Sequence, residues 1–178
     1  MRILKRFIIV FVGLFAILFG GAYFLPSTVI VSRDITIAAG PDKVFPYVND
    51  LKKFQTWSPW AALDPEMKIQ FSGPQSGVGQ KSNWQSKKPS VGSGDQEITQ
   101  SIVNKRVATK LDLGDNGTAI AAWDLSPDGQ GTKVVWSFKT ELGDNPLMRW
   151  MGLMFDRMVG SDFEAGLARL KMLVEAQK

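Results

Sequence analysis

Glu97, Asp124 and Tyr47 are the groups in this sequence best placed for acid–base chemistry, because the 178 residues include no histidine and no cysteine. Those two absences exclude Ser-His-Asp triads, Cys-His pairs, imidazole metal sites, zinc fingers, iron–sulfur clusters and disulfides. For Glu97 or Asp124 to act, a cavity would have to desolvate the carboxyl and raise its pKa. A third carboxylate, Asp112, falls on the polar face of its segment, towards solvent. No segment shows the converging oxygen ligands that a metal needs, and no cofactor is implied. Residues 73–82 read GPQSGVGQKS. A P-loop fails there because Gln80 stands where a glycine must precede Lys81, and the dinucleotide fingerprint fails because Ser82 replaces its third glycine. The stretch reads as a loop between strands. Asn116-Gly117-Thr118 matches a glycosylation sequon, but a hairpin turn explains the same residues.

The other chemistry on offer is apolar. Six tryptophans, Trp57, Trp60, Trp84, Trp123, Trp136 and Trp150, accompany Phe71, Met151, Met154, Phe155 and Met158. Such residues either fill a core or line a pocket for an apolar ligand, and methionine suits a pocket that adapts to its contents. Ala119 and Ala121 share the face of Trp123 and leave room beside it. The candidate cavity lining is therefore Trp57, Trp60, Phe71, Trp84, Ala119, Ala121, Trp123, Trp136, Met151, Met154, Phe155 and Met158.

These residues need elements to position them. Residues 29–37 are rich in β-branched side chains and predict a strand. Pro41 suits the first turn of a helix with Val44, Phe45 and Val48 on its apolar face, and Asn49-Asp50 caps a second short helix over 51–54. From 67 to 142 the apolar period is two, predicting six further strands over 67–71, 79–86, 97–103, 107–113, 118–125 and 132–140. Asn116-Gly117 predicts a tight hairpin with positive φ, and Ser126-Pro127-Asp128-Gly129 a second turn. Pro146 opens a long helix to about residue 176. Its stripe Leu147, Met151, Met154, Met158 is out of phase with Phe163, Leu167, Leu170, Val174, which predicts a kink or break at Gly160-Ser161.

Ahead of this domain, residues 7–25 carry no charge. At ~1.5 Å per residue they span about 28 Å, close to a bilayer's hydrocarbon core. Pro26 is expected to stop the helix. Gly20-Gly21-Ala22 could serve a signal peptidase, but the unbroken apolar length favours a retained anchor. Arg2, Lys5 and Arg6 precede it, so the positive-inside rule keeps residues 1–6 in the cytoplasm and places residues 27–178 outside it, which is the periplasm if the cell is Gram-negative. These three account for part of the 21 Lys/Arg, leaving 18 against 17 Asp/Glu. A nearly neutral domain without a basic stripe excludes nucleic-acid binding.

The order strand, two small helices, meander and long terminal helix resembles the START-like helix-grip superfamily, also called SRPBCC. The similarity is nearest to its membrane-anchored, polyketide cyclase/dehydrase-like branch. Residues carrying it are Ile35-Thr36-Ile37 with residues 40–45, Trp57-Ser58-Pro59-Trp60, Ser72-Gly73-Pro74 with Gly77-Val78-Gly79, Gly92-Ser93-Gly94, Asn145-Pro146 and Gly152-Leu153-Met154. The resemblance covers roughly residues 29–175. It implies an α+β domain in which a curved antiparallel sheet of about seven strands grips the C-terminal helix around an apolar cavity. Superfamily members include lipid carriers, receptors, aromatase/cyclases and proteins without known activity, so fold does not fix function. The expectation is non-catalytic binding of a hydrophobic small molecule or lipid beside the membrane, with the first half of the long helix as a gate. The alternatives are a cyclase/dehydrase-like enzyme and a solid-core module that docks a partner protein.

Overall fold

The computed structural model describes residues 2–177. Helix α1 (Arg2–Ala22) is followed by β1 (Thr28–Ile37) and three short helices, α2 (Pro41–Val48), α3 (Leu51–Phe54) and α4 (Pro59–Leu63). Six strands come next: β2 (Lys68–Ser72), β3 (Lys81–Gln85), β4 (Ser93–Ile102), β5 (Arg106–Asp112), β6 (Thr118–Asp128) and β7 (Gly131–Glu141). The chain then enters α5 (Pro146–Glu175). All strands join one antiparallel sheet in the order β1-β7-β6-β5-β4-β3-β2. The meander therefore runs from β2 at one edge to β7, and β1 pairs with β7 to form the other edge.

Period-two patterning produces this sheet directly. In β7, Thr132, Val134, Trp136, Phe138 and Thr140 are buried, while the residues between them are more exposed. In β1, Val31 and Ile37 are buried and Ile30, Ser32, Asp34 and Thr36 are exposed. The inner face closes on α5, whose second half buries Phe163, Leu167, Leu170 and Val174. Gly166 permits that closure: a Cβ there would lie 2.9 Å from the Trp136 ring and 3.1 Å from Pro59.

Several local expectations are corrected. α1 ends at Ala22, ahead of Pro26, in a run of i→i−3 bonds through Tyr23, Phe24 and Leu25. Helix α4 is an addition to the expected elements; Ser58 caps it and Pro59 occupies its first turn. Asn116 does not take a positive φ; residues Gly114–Asn116 form a 3₁₀ turn, and Gly114 and Gly117 supply the left-handed positions. The second turn is tighter than expected, with β6 running through Pro127 to Asp128 and Asp128 opposite Gly131. Pro127 is tolerated because β5 ends its pairing at Asp124, so no neighbour on that side needs its missing N–H.

The expected break at Gly160-Ser161 is absent, and α5 is continuous. The change of phase is a change of surroundings. The stripe before Gly160 is exposed and the stripe after it is buried. Gly160 has another use, since any Cβ there would collide with the guanidinium of Arg33. Arg33 occupies an inward register position on β1 and clasps α5, with Nη1 donating to Asp156 at 2.9 Å and Nε to Glu164 at 2.8 Å.

The Gly-rich loop is also explained by packing. Gln80 is buried; its Oε1 accepts from Leu51 N at 2.7 Å and its Nε2 donates to Gln75 O at 2.7 Å and Asp50 Oδ1 at 3.1 Å. The residue that spoils the P-loop pattern is the one that pins this loop to α3.

Candidate functional site

The inner face of the sheet divides along α5. Under the second half of the helix lies an aromatic stack. Phe163 lies flat on Trp136, with ring centroids 4.0 Å apart. Trp57 and Trp123 meet Trp136 at 5.4 and 5.6 Å, and Phe54 touches all three indoles. Trp60 meets Trp136 at 5.8 Å and Phe163 at 6.3 Å. Trp57, Trp123 and Trp136 are each at most 1% exposed. These rings reach the same place because β6 and β7 pair Trp123 with Trp136, while the turn between α3 and α4 carries Trp57 down onto them.

Their polar atoms are treated unequally. Trp57 Nε1 donates to Tyr47 O at 3.2 Å. The indole N–H groups of Trp123 and Trp136 are buried with no hydrogen-bond partner among the described residues. A buried donor left unpaired costs roughly 1–3 kcal/mol, so two neighbouring ones require an explanation.

Towards the first half of α5 the inner face changes character. Ala121 pairs with Phe138 and Thr109, and Ala119 with Thr140 and Leu111. Small and aromatic side chains therefore alternate, and Phe138 stacks on Phe155 at 5.8 Å. Deeper along the same face Gln96 Nε2 donates to Thr109 Oγ1 at 3.0 Å. At the helix midpoint, partly buried Asp162 has no hydrogen-bond or ion-pair partner among the described residues. Burial raises its carboxyl above the ordinary carboxylate value.

The sequence-derived residues thus separate into groups. Trp57, Trp60, Trp123 and Trp136 come together, Ala119 and Ala121 adjoin them, and Phe155 is joined through Phe138. Phe71 and Trp84 sit half-buried on β2 and β3, at the far edge of the sheet; Trp84 lies against Gly94, and the Lys52 ammonium is 5.7 Å from the Phe71 ring. Met151, Met154 and Met158 are 48%, 61% and 60% exposed on the outer stripe of α5. Trp150 is set apart, donating to Leu18 O of α1 at 2.8 Å.

The acid–base candidates do not converge. Glu97 pairs with Lys81 at 3.2 Å, Asp124 pairs with Arg106, and the Tyr47 hydroxyl accepts from Gln177. No group of three or more His, Cys, Asp or Glu placed to hold a metal occurs among the described residues. Shallow surface grooves lie elsewhere on the described residues. One is lined by Phe45, Asn49, Lys53 and Gln75, another by Thr99, Lys110, Ile120 and Lys139 across the outer face of the sheet. Neither includes the unpaired indoles. Sequence reasoning placed Phe163 on the helix stripe but missed it as the ring stacked on Trp136, because spacing along α5 does not say which strand residue lies beneath it.

An antiparallel sheet gripping a long C-terminal helix defines this chain as a helix-grip domain of the SRPBCC type. It belongs to the polyketide cyclase / dehydrase and lipid transport family, which matches residues 28–175. That membership makes it a hydrophobic-ligand-binding fold. A comparison with curated proteins finds no match. Among solved structures it is similar to the protein of unknown function SA2116 from Staphylococcus aureus, with a TM-score of 0.63 and 11% identity over 84% of this chain and 95% of that one. It is also similar to TTHA0849 from Thermus thermophilus, with a TM-score of 0.59 and 19% identity over 84% and 99%. Protein CV1439 from Chromobacterium violaceum gives 0.54 and 17% over 85% and 99%. At these identities the likeness is one of fold.

Proposed function

We propose that the domain binds a hydrophobic small molecule or lipid between its sheet and α5, held beside a membrane by α1. The observation carrying this reading is the pair of unpaired indole N–H groups of Trp123 and Trp136, buried within the aromatic stack beneath α5. A ligand with a hydrocarbon body and one oxygen acceptor would bury apolar area against these rings at ~25 cal/mol per Å² and relieve a donor at the same time. Ala119 and Ala121 keep the neighbouring positions small. Family membership supports the ligand class.

The test uses the full chain in detergent micelles. Retained molecules are extracted and identified by mass spectrometry, and a fluorescent fatty acid is titrated by energy transfer from tryptophan. Trp123→Phe and Trp136→Phe keep the ring and remove the donor. At least one should weaken fatty-acid binding by roughly five- to tenfold, about 1 kcal/mol, and leave an oxygen-free hydrocarbon probe unaffected. If no apolar probe binds, or both variants bind the fatty acid like the parent, the cavity reading fails. The close-packed stack of Trp57, Trp123, Trp136 and Phe163 favours the second reading in that event, a solid-core module that docks a partner protein.

A further inference from the structure

We propose that the first half of α5 is a membrane-surface helix, its stripe of Leu147, Met151, Met154 and Met158 inserted into the lipid layer beside the exit of α1. The inference rests on reading α1 as a membrane anchor and adds a lipid-binding surface to the domain itself.

Residues Lys5–Ala22 of α1 are long and apolar enough to cross a membrane. α5 is fastened to the end of that stretch. Trp150 Nε1 donates to Leu18 O at 2.8 Å, and the Arg149 guanidinium reaches Ala22 O at 3.5 Å and lies 5.8 Å from the centre of the Tyr23 ring. Leu18 is four residues short of the end of α1, or about 6 Å of helix rise. A bilayer that accommodates α1 therefore brings its interfacial layer level with the first turns of α5. An indole at that depth, with its N–H satisfied, is where tryptophan is favoured.

The surface at that level is apolar. Leu147, Met151, Met154 and Met158 recur at spacings of four, three and four, on one side of the helix, and are 67%, 48%, 61% and 60% exposed. Tyr23 and Phe24, 67% and 91% exposed, connect this stripe to α1. Charges in the same half are largely engaged. Arg149 donates to Gly143 O and pairs with Asp144, and Asp156 pairs with Arg33. Arg157, exposed, is long enough to reach the headgroups. Continuity with the anchor selects lipid as the occupant over a second copy of the chain, because a surface fixed at this depth meets lipid first.

The absence of cysteine allows a direct test. Single-cysteine variants of the full chain, Leu147→Cys, Met154→Cys and Met158→Cys, are labelled with bimane and reconstituted into phosphatidylcholine vesicles with or without nitroxide-labelled lipid. Phe15→Cys in α1 and Met172→Cys, 65% exposed at the far end of α5, are the controls. Nitroxide lipid should quench bimane at 147, 154 and 158 as it does at 15, and leave 172 bright. A water-soluble thiol reagent should modify 154 slower than 172 by about an order of magnitude. Quenching at 15 without quenching at 147, 154 and 158 overturns the inference and leaves the anchor standing. No quenching at 15 overturns both. Oxidative cross-linking of 154 to 154 between chains, with no quenching, assigns the stripe to a second copy instead.

Discussion

Three residues show how little of an environment is written in a residue type. Asp162 is a solvated helix residue by composition, yet it is partly buried and its carboxyl is raised above the ordinary range by desolvation. Asp156, six residues earlier, is lowered, first by its hydrogen bond to Arg33. The two act on stability in opposite senses. Ionised Asp162 is disfavoured in the fold, so its penalty is absent below the unfolded pKa and grows as pH rises to the raised folded value. Asp156 contributes stability above the unfolded value that is lost as pH falls through its lowered one. Asp162→Asn should therefore raise the unfolding temperature at neutral pH, with the gain vanishing in acid; an equal gain at all pH would show that the carboxylate is not desolvated. Gly166 works through shape. Gly166→Ala should gain up to about 1 kcal/mol of helix propensity and lose about 1–3 kcal/mol to overpacking against Trp136 and Pro59, for a net destabilisation in chemical unfolding.

At the scale of elements, α5 is one helix in two environments. Leu167 is 1% exposed and Met154 is 61% exposed. Leu167→Asp should cost about 3–5 kcal/mol, as an uncompensated buried charge, whereas Met154→Gln, outside the protein core and uncharged, should change stability by no more than about 0.5 kcal/mol. Chemical unfolding of the two variants in micelles checks the contrast, and equal losses would dissolve the division. This division was half visible in the sequence. The phase shift between the two stripes was legible, but it reads as a kink because periodicity reports which residues share a face and not what covers it. The strands were legible for the converse reason: alternation in β1 and β7 is imposed by a single buried face, and the register follows. α4 escaped because four or five residues carry no period. The aromatic site was legible as an inventory only. Trp123 and Trp136 become neighbours through the β6–β7 register, but Trp57 reaches them through the helical turn before α4, which no spacing encodes. Trp84 and Trp136 look alike in sequence and differ in that one is on β3, near the far edge of the sheet, and the other on β7 beneath α5.

For the whole molecule, the same few contacts that orient α1 against the domain make topology a single question. Ser27 O accepts from Leu142 N at 2.7 Å and Trp150 holds Leu18, so the helix and the sheet leave little slack between them. If α1 crosses a membrane as proposed, a domain tied this closely emerges on whichever side the C-terminal end of α1 faces. Its own charge gives that choice little bias, since 18 Lys/Arg face 17 Asp/Glu once Arg2, Lys5 and Arg6 are set aside. On the proposed anchor reading, orientation should then depend on those three cations, which the positive-inside rule would retain in the cytoplasm. Alkaline phosphatase fused to the C-terminus, active only outside the cytoplasm, should be active, and a cytoplasmic reporter at the same place silent. Replacing Arg2, Lys5 and Arg6 together by Gln should lower the phosphatase signal and raise the cytoplasmic one. A silent phosphatase with the parent sequence would invert the proposed topology. Release of a soluble product beginning near Tyr23 would identify α1 as a cleaved leader, and the domain would then have to find lipid by diffusion.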